Sequence, residues 1–223
     1  MTSVAIDFRF SDIRYEVWAL GQYLDLMERE LPALSEADRI AAREMFSHPA
    51  CREDPSEADF AYQAADEMEE RVIPRLFLAP FIISLWSVFE SATIEVSEYI
   101  AKQKGTNARI SDLRGDFLSR AKKYFEDILG YELCLAKDCW EELRALNDIR
   151  NAFAHGNGRL SALPNRQYQR IEKITAQYKG LEIDEGFLLP SMSYVRARYE
   201  SVFNLLDDLI GRVKVGFSDL LEQ

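Results

Sequence analysis

Residues 81–100, FIISLWSVFESATIEVSEYI, carry the clearest indication of the fold. They lie inside a longer segment, 57–103, that has helical character and contains no glycine. We expect Pro74 and Pro80 to bend or break this segment, because proline removes a backbone N–H and crowds the preceding turn. The longest apolar run, 76–86, falls short of the ~20 residues that a membrane span needs, so it predicts a buried core helix.

Elsewhere the apolar residues recur at spacings of three and four, the pattern of amphipathic helices. A first helix begins near Ile13 and is predicted to end at Pro32. Ser35 is then expected to cap a second, shorter helix that runs to Phe46, followed by a polar loop at 47–56. Similar stripes predict helices at about 117–128, 138–155, 164–178 and 195–213.

Turn residues complete the predicted fold. Gly156 suits a left-handed cap at the end of the helix that precedes it. Short apolar runs on either side of 184–186, Asp-Glu-Gly, predict a hairpin. The sequence therefore predicts an all-α, antiparallel helical bundle at 61–223, with an N-terminal helical extension at 1–60 and one small β-hairpin.

The composition is that of an ordinary globular protein, with 48% hydrophobic and 29% charged residues in 223. The cysteines, Cys51, Cys134 and Cys139, are odd in number and lack metal-binding spacing. This predicts free thiols, buried in the core at Cys134 and Cys139, and a reducing, cytoplasmic location. The N-terminus has no basic region followed by an apolar run, so we expect no signal peptide. A P-loop, a dinucleotide fingerprint and a G-x-S-x-G element are absent from the sequence, which argues against those enzyme classes.

The charge is unevenly distributed along the chain. The net charge is -11, and residues 25–70 alone hold 14 acidic and 4 basic residues, which leaves the remainder close to neutral. Two segments, 102–123 and 159–179, are locally basic and could form an RNA-binding surface; scattered surface lysines and arginines are the alternative. The acidic residues of 66–70 are more typical of a solvated face than of a cation site.

The stretch 140–155, WEELRALNDIRNAFAH, contains the residues that suggest a chemical function. At about 100° per residue, one face of this helix is apolar and is expected to face the core: Leu146, Ile149 and Phe153. The opposite face is polar but lacks Lys and Glu, and it comprises Asn147, Arg150, Asn151, Ala154 and His155. Small polar residues beside Trp140 and Leu143 favour a partner helix or a pocket. A capped, solvent-exposed helix end is the alternative interpretation.

The hexapeptide 150–155, RNAFAH, resembles the R-x4–6-H motif of HEPN domains, including the polar residue that follows the arginine. As in that family, it lies at the end of a late helix in a helical chain. The stretch 81–100 resembles the first core helix of such domains, with Glu90 as an acidic residue in an apolar run. The resemblance covers roughly 75–215, whereas 1–60 has no counterpart.

The resemblance implies a homodimeric, metal-independent endoribonuclease that uses no cofactor and leaves a 2′,3′-cyclic phosphate. His155 would act as general base on a 2′-hydroxyl of RNA, or as acid toward the leaving 5′-oxygen. Arg150 would hold the scissile phosphate, and Asn151 would orient His155 or the phosphate. The supporting residues are expected to be Asn147 and Glu90, the latter as a partner for Arg150, and the RNA-binding residues Gly156, Gly158 and Arg159, with the glycine turn offering backbone amides.

Geometry favours two copies, since Arg150 and His155 lie about 140° apart on an ideal helix. Two chains across a twofold axis can supply His from one and Arg from the other. The resemblance also suggests a toxin–antitoxin or phage-defence setting, with an antitoxin or regulatory protein as partner and no membrane. Residues 156–159 are Gly-Asn-Gly-Arg, so they lack the tyrosine that some HEPN toxins carry for nucleotidyl modification. The alternatives are a non-catalytic HEPN module that binds RNA, nucleotide or a protein partner, and a helical scaffold whose acidic segment binds a basic protein.

Overall fold

A computed structural model describes residues 8–47 and 55–217, apart from a few side chains within these ranges. The described chain is mostly helical with one two-stranded antiparallel sheet, which confirms the predicted predominance of helix. Its elements are α1 (Ser11–Ser47), α2 (Pro55–Glu67), α3 (Ala79–Lys104), α4 (Phe117–Lys123), α5 (Cys139–Gly156), α6 (Asn165–Gln177), β1 (Leu181–Asp184), β2 (Phe187–Pro190) and α7 (Met192–Gly216). Shorter 3-10 turns lie at Ile110–Asp112 and Leu160–Ala162, and π-helical turns at Met68–Val72, Pro74–Leu78 and Tyr124–Leu129.

Packing divides the chain into two compact units. The first consists of the described residues of Met1–Leu20, Ser84–Asn147 and Arg198–Gln223, and the second of those of Gly21–Ile83 and Asp148–Ala197. These units do not use residue 60 as a boundary, and the N-terminal extension at 1–60 stays a prediction.

The core of the first unit is built on the apolar part of α3. Trp86 and Phe89 are almost fully buried, and Phe117 from α4 packs edge-to-face against both rings. The predicted stripe of α7 is buried as well at Val202, Leu206, Leu209 and Val213. The predicted burial of the core helix that starts in the run 76–86 is therefore confirmed for α3.

One helical stretch in the described part of the chain, Tyr62–Lys104, is long and apolar enough to cross a membrane by length and composition alone. Core helices of soluble proteins meet the same criterion. Along this stretch Phe81, Leu85 and Val96 are fully buried, whereas Leu76 and Ile94 are exposed.

The second unit contains the predicted hairpin. β1 and β2 pair antiparallel from Leu181↔Pro190 to Asp184↔Phe187. The two turn residues, Glu185 and Gly186, both have positive φ (44° and 81°), as the type I′ hairpin turn requires. The hairpin and α6 contribute to the core of this unit with Ile171, Ile174, Leu181, Leu188 and Leu189.

Pro32 does not end the first helix, so the prediction of two helices on either side of it is wrong. α1 continues to Ser47, and the Ser35 hydroxyl donates to the Leu31 carbonyl at 3.4 Å instead of capping a new helix. A proline inside a helix removes one backbone hydrogen bond. Ion pairs from Arg39 to Glu69 (2.7 Å) and Asp66 (3.5 Å) hold the part of α1 beyond Pro32.

Proline does not break the second helical region either. At Ile73 and Ala79 the backbone N–H donates five residues back, to Met68 and Pro74, as in π-helix. This wider turn accommodates Pro74 without the bond that its nitrogen cannot make. Pro80 lies in the first turn of α3, and the helix continues through it.

Cys134 and Cys139 form a disulfide, so the prediction of free core thiols at these positions is wrong. The two residues enclose a four-residue loop before α5, and their Cα atoms lie 5.9 Å apart, within the usual disulfide range. Both are half-buried rather than part of the core. Cys51 and His48 lie outside the described residues, and the cytoplasmic location stays a prediction.

Candidate functional site

The apolar face predicted for α5 is confirmed. Leu146, Ile149 and Phe153 are only 2%, 0% and 4% exposed. Burial of these three side chains fixes the rotation of the helix about its axis. As a result Arg150 is half-buried, while His155 is exposed in the last helical turn.

Arg150 is held by its neighbour on the helix. Its Nη1 donates to Asn151 Oδ1 at 2.9 Å. Its Nε is buried and has no hydrogen-bond partner among the described residues. An unsatisfied buried donor costs roughly 1–3 kcal/mol, and a bound anion would supply the missing acceptor. Asn151 thus contacts Arg150, and its predicted role in orienting His155 or the phosphate stays a prediction.

The end of α5 lies one residue later than predicted. Gly156 is still helical, and the left-handed residues are Asn157 (φ 47°) and Gly158 (φ 75°), so the prediction of a left-handed Gly156 is wrong. A Cβ on Gly158 would lie 3.0 Å from both the Leu188 carbonyl oxygen and the Phe153 ring. Glycine at 158 is therefore required both by its conformation and by close packing.

The backbone amides of this turn already donate hydrogen bonds within the chain. The N–H groups of Asn157, Gly158 and Arg159 donate to carbonyls of Phe153, Ala152 and Gly156 at 2.8–3.2 Å. Together they cap the helix and satisfy its last carbonyls. We therefore assign the turn a structural role, and RNA contacts from Gly156 and Gly158 stay a prediction.

Arg159 leaves this turn with an exposed side chain whose guanidinium carbon lies 5.4 Å from the centroid of the Phe187 ring. Arg75, from the π-helical turn before α3, lies 4.1 Å from the centroid of the same ring. The sequence pattern indicated an RNA-binding role for Arg159 but not for Arg75. Nothing along the chain links the two, because their proximity depends on how the hairpin packs.

Two predicted supporting residues, Asn147 and Glu90, belong to the first compact unit, whereas Arg150, Asn151 and His155 belong to the second. Glu90 accepts a hydrogen bond from Trp86 Nε1 at 3.1 Å. That bond gives the carboxylate a partner within its own helix. Support of Arg150 by Asn147 and Glu90 stays a prediction.

A carboxylate that the sequence analysis did not single out lies beside the motif. Asp148 is only 14% exposed in its side chain, and it pairs with Arg170 of α6 at 3.5 Å. The ion pair links α5 to α6 within the second unit. In the part of the chain that the structure describes, no three His, Cys, Asp or Glu side chains come together as a group that could hold a metal ion.

Comparison of the chain with protein-family models, with curated proteins and with solved structures finds no match. The function is therefore inferred from the side chains of α5 and their surroundings.

Proposed function

We propose that this chain is a HEPN-type endoribonuclease that acts as a homodimer, without metal or cofactor. The observation that supports this most is the state of Arg150: its fork is held by Asn151, and its buried Nε has no acceptor in the part of the chain that the structure describes. A planar, permanently charged guanidinium fixed in this way suits the oxygens of a phosphate. The exposed His155, five residues later on the same helix, supplies a group that can transfer protons near neutral pH.

In the proposed reaction the 2′-oxygen of RNA attacks the adjacent phosphorus, and the bond from phosphorus to the 5′-oxygen breaks. The His155 imidazole accepts the proton of the 2′-hydroxyl, and the imidazolium so formed donates a proton to the leaving 5′-oxygen. The products are a 2′,3′-cyclic phosphate and a free 5′-hydroxyl. The nucleophile belongs to the substrate, so no metal-bound hydroxide has to be generated.

Arg150 would stabilise the negative charge that builds on the non-bridging phosphate oxygens. Removal of one such donor typically costs a factor of about 10²–10³ in rate. Asn151 acts indirectly, because its side-chain oxygen fixes the plane of the guanidinium that meets the phosphate.

The composite site requires two chains. With the two side chains about 140° apart on one helix, Arg150 of one protomer and His155 of the other would meet at one phosphate. A heterodimer of wild type with a chain that carries both Arg150→Ala and His155→Ala tests this directly. The expected result is loss of cleavage at both composite sites; undiminished activity per intact chain would contradict the cross-chain arrangement.

The primary experiment is cleavage of a structured RNA in the presence of EDTA. Wild type, Arg150→Ala and His155→Ala are compared, with Arg29→Ala as the control because Arg29 is an exposed arginine of α1 outside both basic segments. All four must first be matched in folding and oligomeric size. We expect cyclic-phosphate ends from wild type and the control only. Cleavage that survives both motif substitutions would refute the proposal.

A further inference from the structure

Phe187 is the first residue of β2, and two arginines lie against its ring. It pairs with Asp184 across the hairpin and forms an isolated antiparallel bridge with Arg159, so its backbone is fixed from both sides. The guanidinium carbons of Arg75 and Arg159 lie 4.1 and 5.4 Å from the ring centroid, within cation–π range.

The way Arg75 reaches this ring is specific to the local helix geometry. It lies in the π-helical turn Pro74–Leu78, which packs against β2, and its Nε donates to the Arg71 carbonyl at 3.2 Å. That bond uses the Nε donor of Arg75, so the terminal nitrogens of its guanidinium still have N–H groups that can donate. π-helical turns interrupt regular helices most often at functional sites.

The carboxylates close to this pair of arginines form ion pairs with a third arginine. Arg71, one turn before Arg75, pairs with Asp184 (2.7 Å), Glu185 (2.7 Å) and Glu67 (2.9 Å). The hydrogen bonds with Glu185 and Asp184 raise the pKa of Arg71 above its ordinary value. By contrast, among the residues that the structure describes no carboxylate forms an ion pair with Arg75 or Arg159.

We propose that Arg75 and Arg159, held against Phe187, bind phosphate groups of the RNA strand next to the scissile phosphate. The proposal rests on the proposed function and adds Arg75 and Phe187 to it. Arg159 follows His155 by four residues, so their Cα atoms lie at most about 15 Å apart at 3.8 Å per residue. Both guanidinium groups lie against the Phe187 ring, which favours phosphate over a stacked base as the ligand.

The attraction between these arginines and the RNA phosphates is short-ranged. The three arginines and three carboxylates of this cluster carry no net charge together, so the hydrogen bonds of two planar forks, rather than a broad positive field, would hold the phosphates. Each contact with single-stranded RNA contributes about 0.7 to the slope of log K against log salt concentration. At 0.1 M salt, loss of one contact therefore weakens binding about fivefold.

The test measures binding of a fluorescent single-stranded oligoribonucleotide from 0.05 to 0.3 M salt. The His155→Ala background prevents cleavage during the titration. Within it we compare Arg75→Gln, Arg159→Gln and Phe187→Leu, with Arg29→Gln as the control, an exposed arginine of α1 outside both basic segments. Arg75→Gln and Arg159→Gln should each raise Kd about fivefold at 0.1 M salt and lower the slope by about 0.7, and Phe187→Leu, which keeps an apolar side chain, should raise Kd without removing a charge.

The outcomes separate this proposal from the nuclease proposal. Equal Kd and slope for Arg75→Gln, Arg159→Gln and Arg29→Gln would overturn the phosphate contacts, even if the wild-type chain cleaves RNA. Loss of slope in the first two variants alone would support them, even if the wild-type chain does not cleave RNA. Absence of RNA binding in the His155→Ala background would overturn them, with cleavage by wild type as the separate measure of the nuclease.

Discussion

Asn151→Asp should make the protein more stable and less active, a combination that isolates the role of Arg150. The substitution preserves the shape of the side chain and replaces a neutral acceptor, 2.9 Å from Arg150 Nη1, by a carboxylate. Both residues are half-buried, so the new ion pair should contribute about 0.2–1 kcal/mol. For a chain of this size that raises Tm by about 0.4–4 °C. The helix dipole opposes this little, because residue 151 lies more than one turn before Gly156.

The same carboxylate should disfavour the substrate. A phosphate bound to Arg150 would lie roughly 6 Å from the new charge, where repulsion amounts to about 0.7–2.8 kcal/mol for effective dielectric constants of 80 to 20. We therefore expect kcat/KM for RNA to fall by roughly 3- to 100-fold. Asn151→Ala removes the acceptor without adding charge, so it should lower both the activity and, by about 1 kcal/mol, the free energy of unfolding.

The assay combines thermal unfolding with RNA cleavage in EDTA. Asn204→Asp, at an exposed position of α7 outside both basic segments, makes the same change in side chain and net charge and serves as the control. If Asn151→Asp cleaves RNA within twofold of wild type while Arg150→Ala is inactive, phosphate does not bind beside Asn151. A lower Tm for Asn151→Asp would show that the side-chain bond between Arg150 and Asn151 does not form in solution.

Three further predictions concern stability and are read from thermal or urea unfolding. Gly158→Ala should cost about 1–3 kcal/mol, because φ is 75° and the new Cβ would lie 3.0 Å from a carbonyl oxygen of β2; an unchanged Tm would refute this. Cys134→Ser should cost about 2 kcal/mol, the loop entropy of a short disulfide, and Cys139→Ser should match it. Hydrogen bonds from Ser119 to Asp116, at the start of α4, lower the pKa of that carboxyl below its ordinary 3.8. The advantage of wild type over Asp116→Ala should thus be full above that pH and decline as the pH falls further; a pH-independent difference would contradict the cap.

Local patterns were sufficient wherever one segment determines its own structure. The three-and-four spacing located α5 and α7, because an amphipathic helix must bury one face. The short apolar runs on either side of 184–186 located the hairpin, since a tight turn with glycine joins two strands that are neighbours in sequence. The same logic separated Ile149, which is fully buried, from Arg150 on the other side of the helix.

Local patterns failed where tertiary contacts outweigh a local preference. Pro32 was expected to stop a helix, but α1 continues to Ser47 with one hydrogen bond missing, and the exposed ion pairs of Arg39 add only a little to its stability. The disulfide of Cys134 and Cys139 depends on the shape of the loop that joins them, which spacing alone does not specify. Arg75 shows no sequence signal because its partner, Phe187, lies on the distant hairpin.

The relation between stability and function in α5 follows from its two faces. Leu146, Ile149 and Phe153 stabilise the helix by burial and leave it little freedom to rotate. Arg150 is consequently held half-buried with an unsatisfied Nε, a destabilising arrangement that a phosphate would relieve. A ligand that binds only the folded state raises its stability in proportion to the logarithm of its concentration above Kd. A non-cleavable RNA analogue should therefore raise the Tm of wild type more than that of Arg150→Ala, and an equal rise in both would show that the guanidinium has no part in binding.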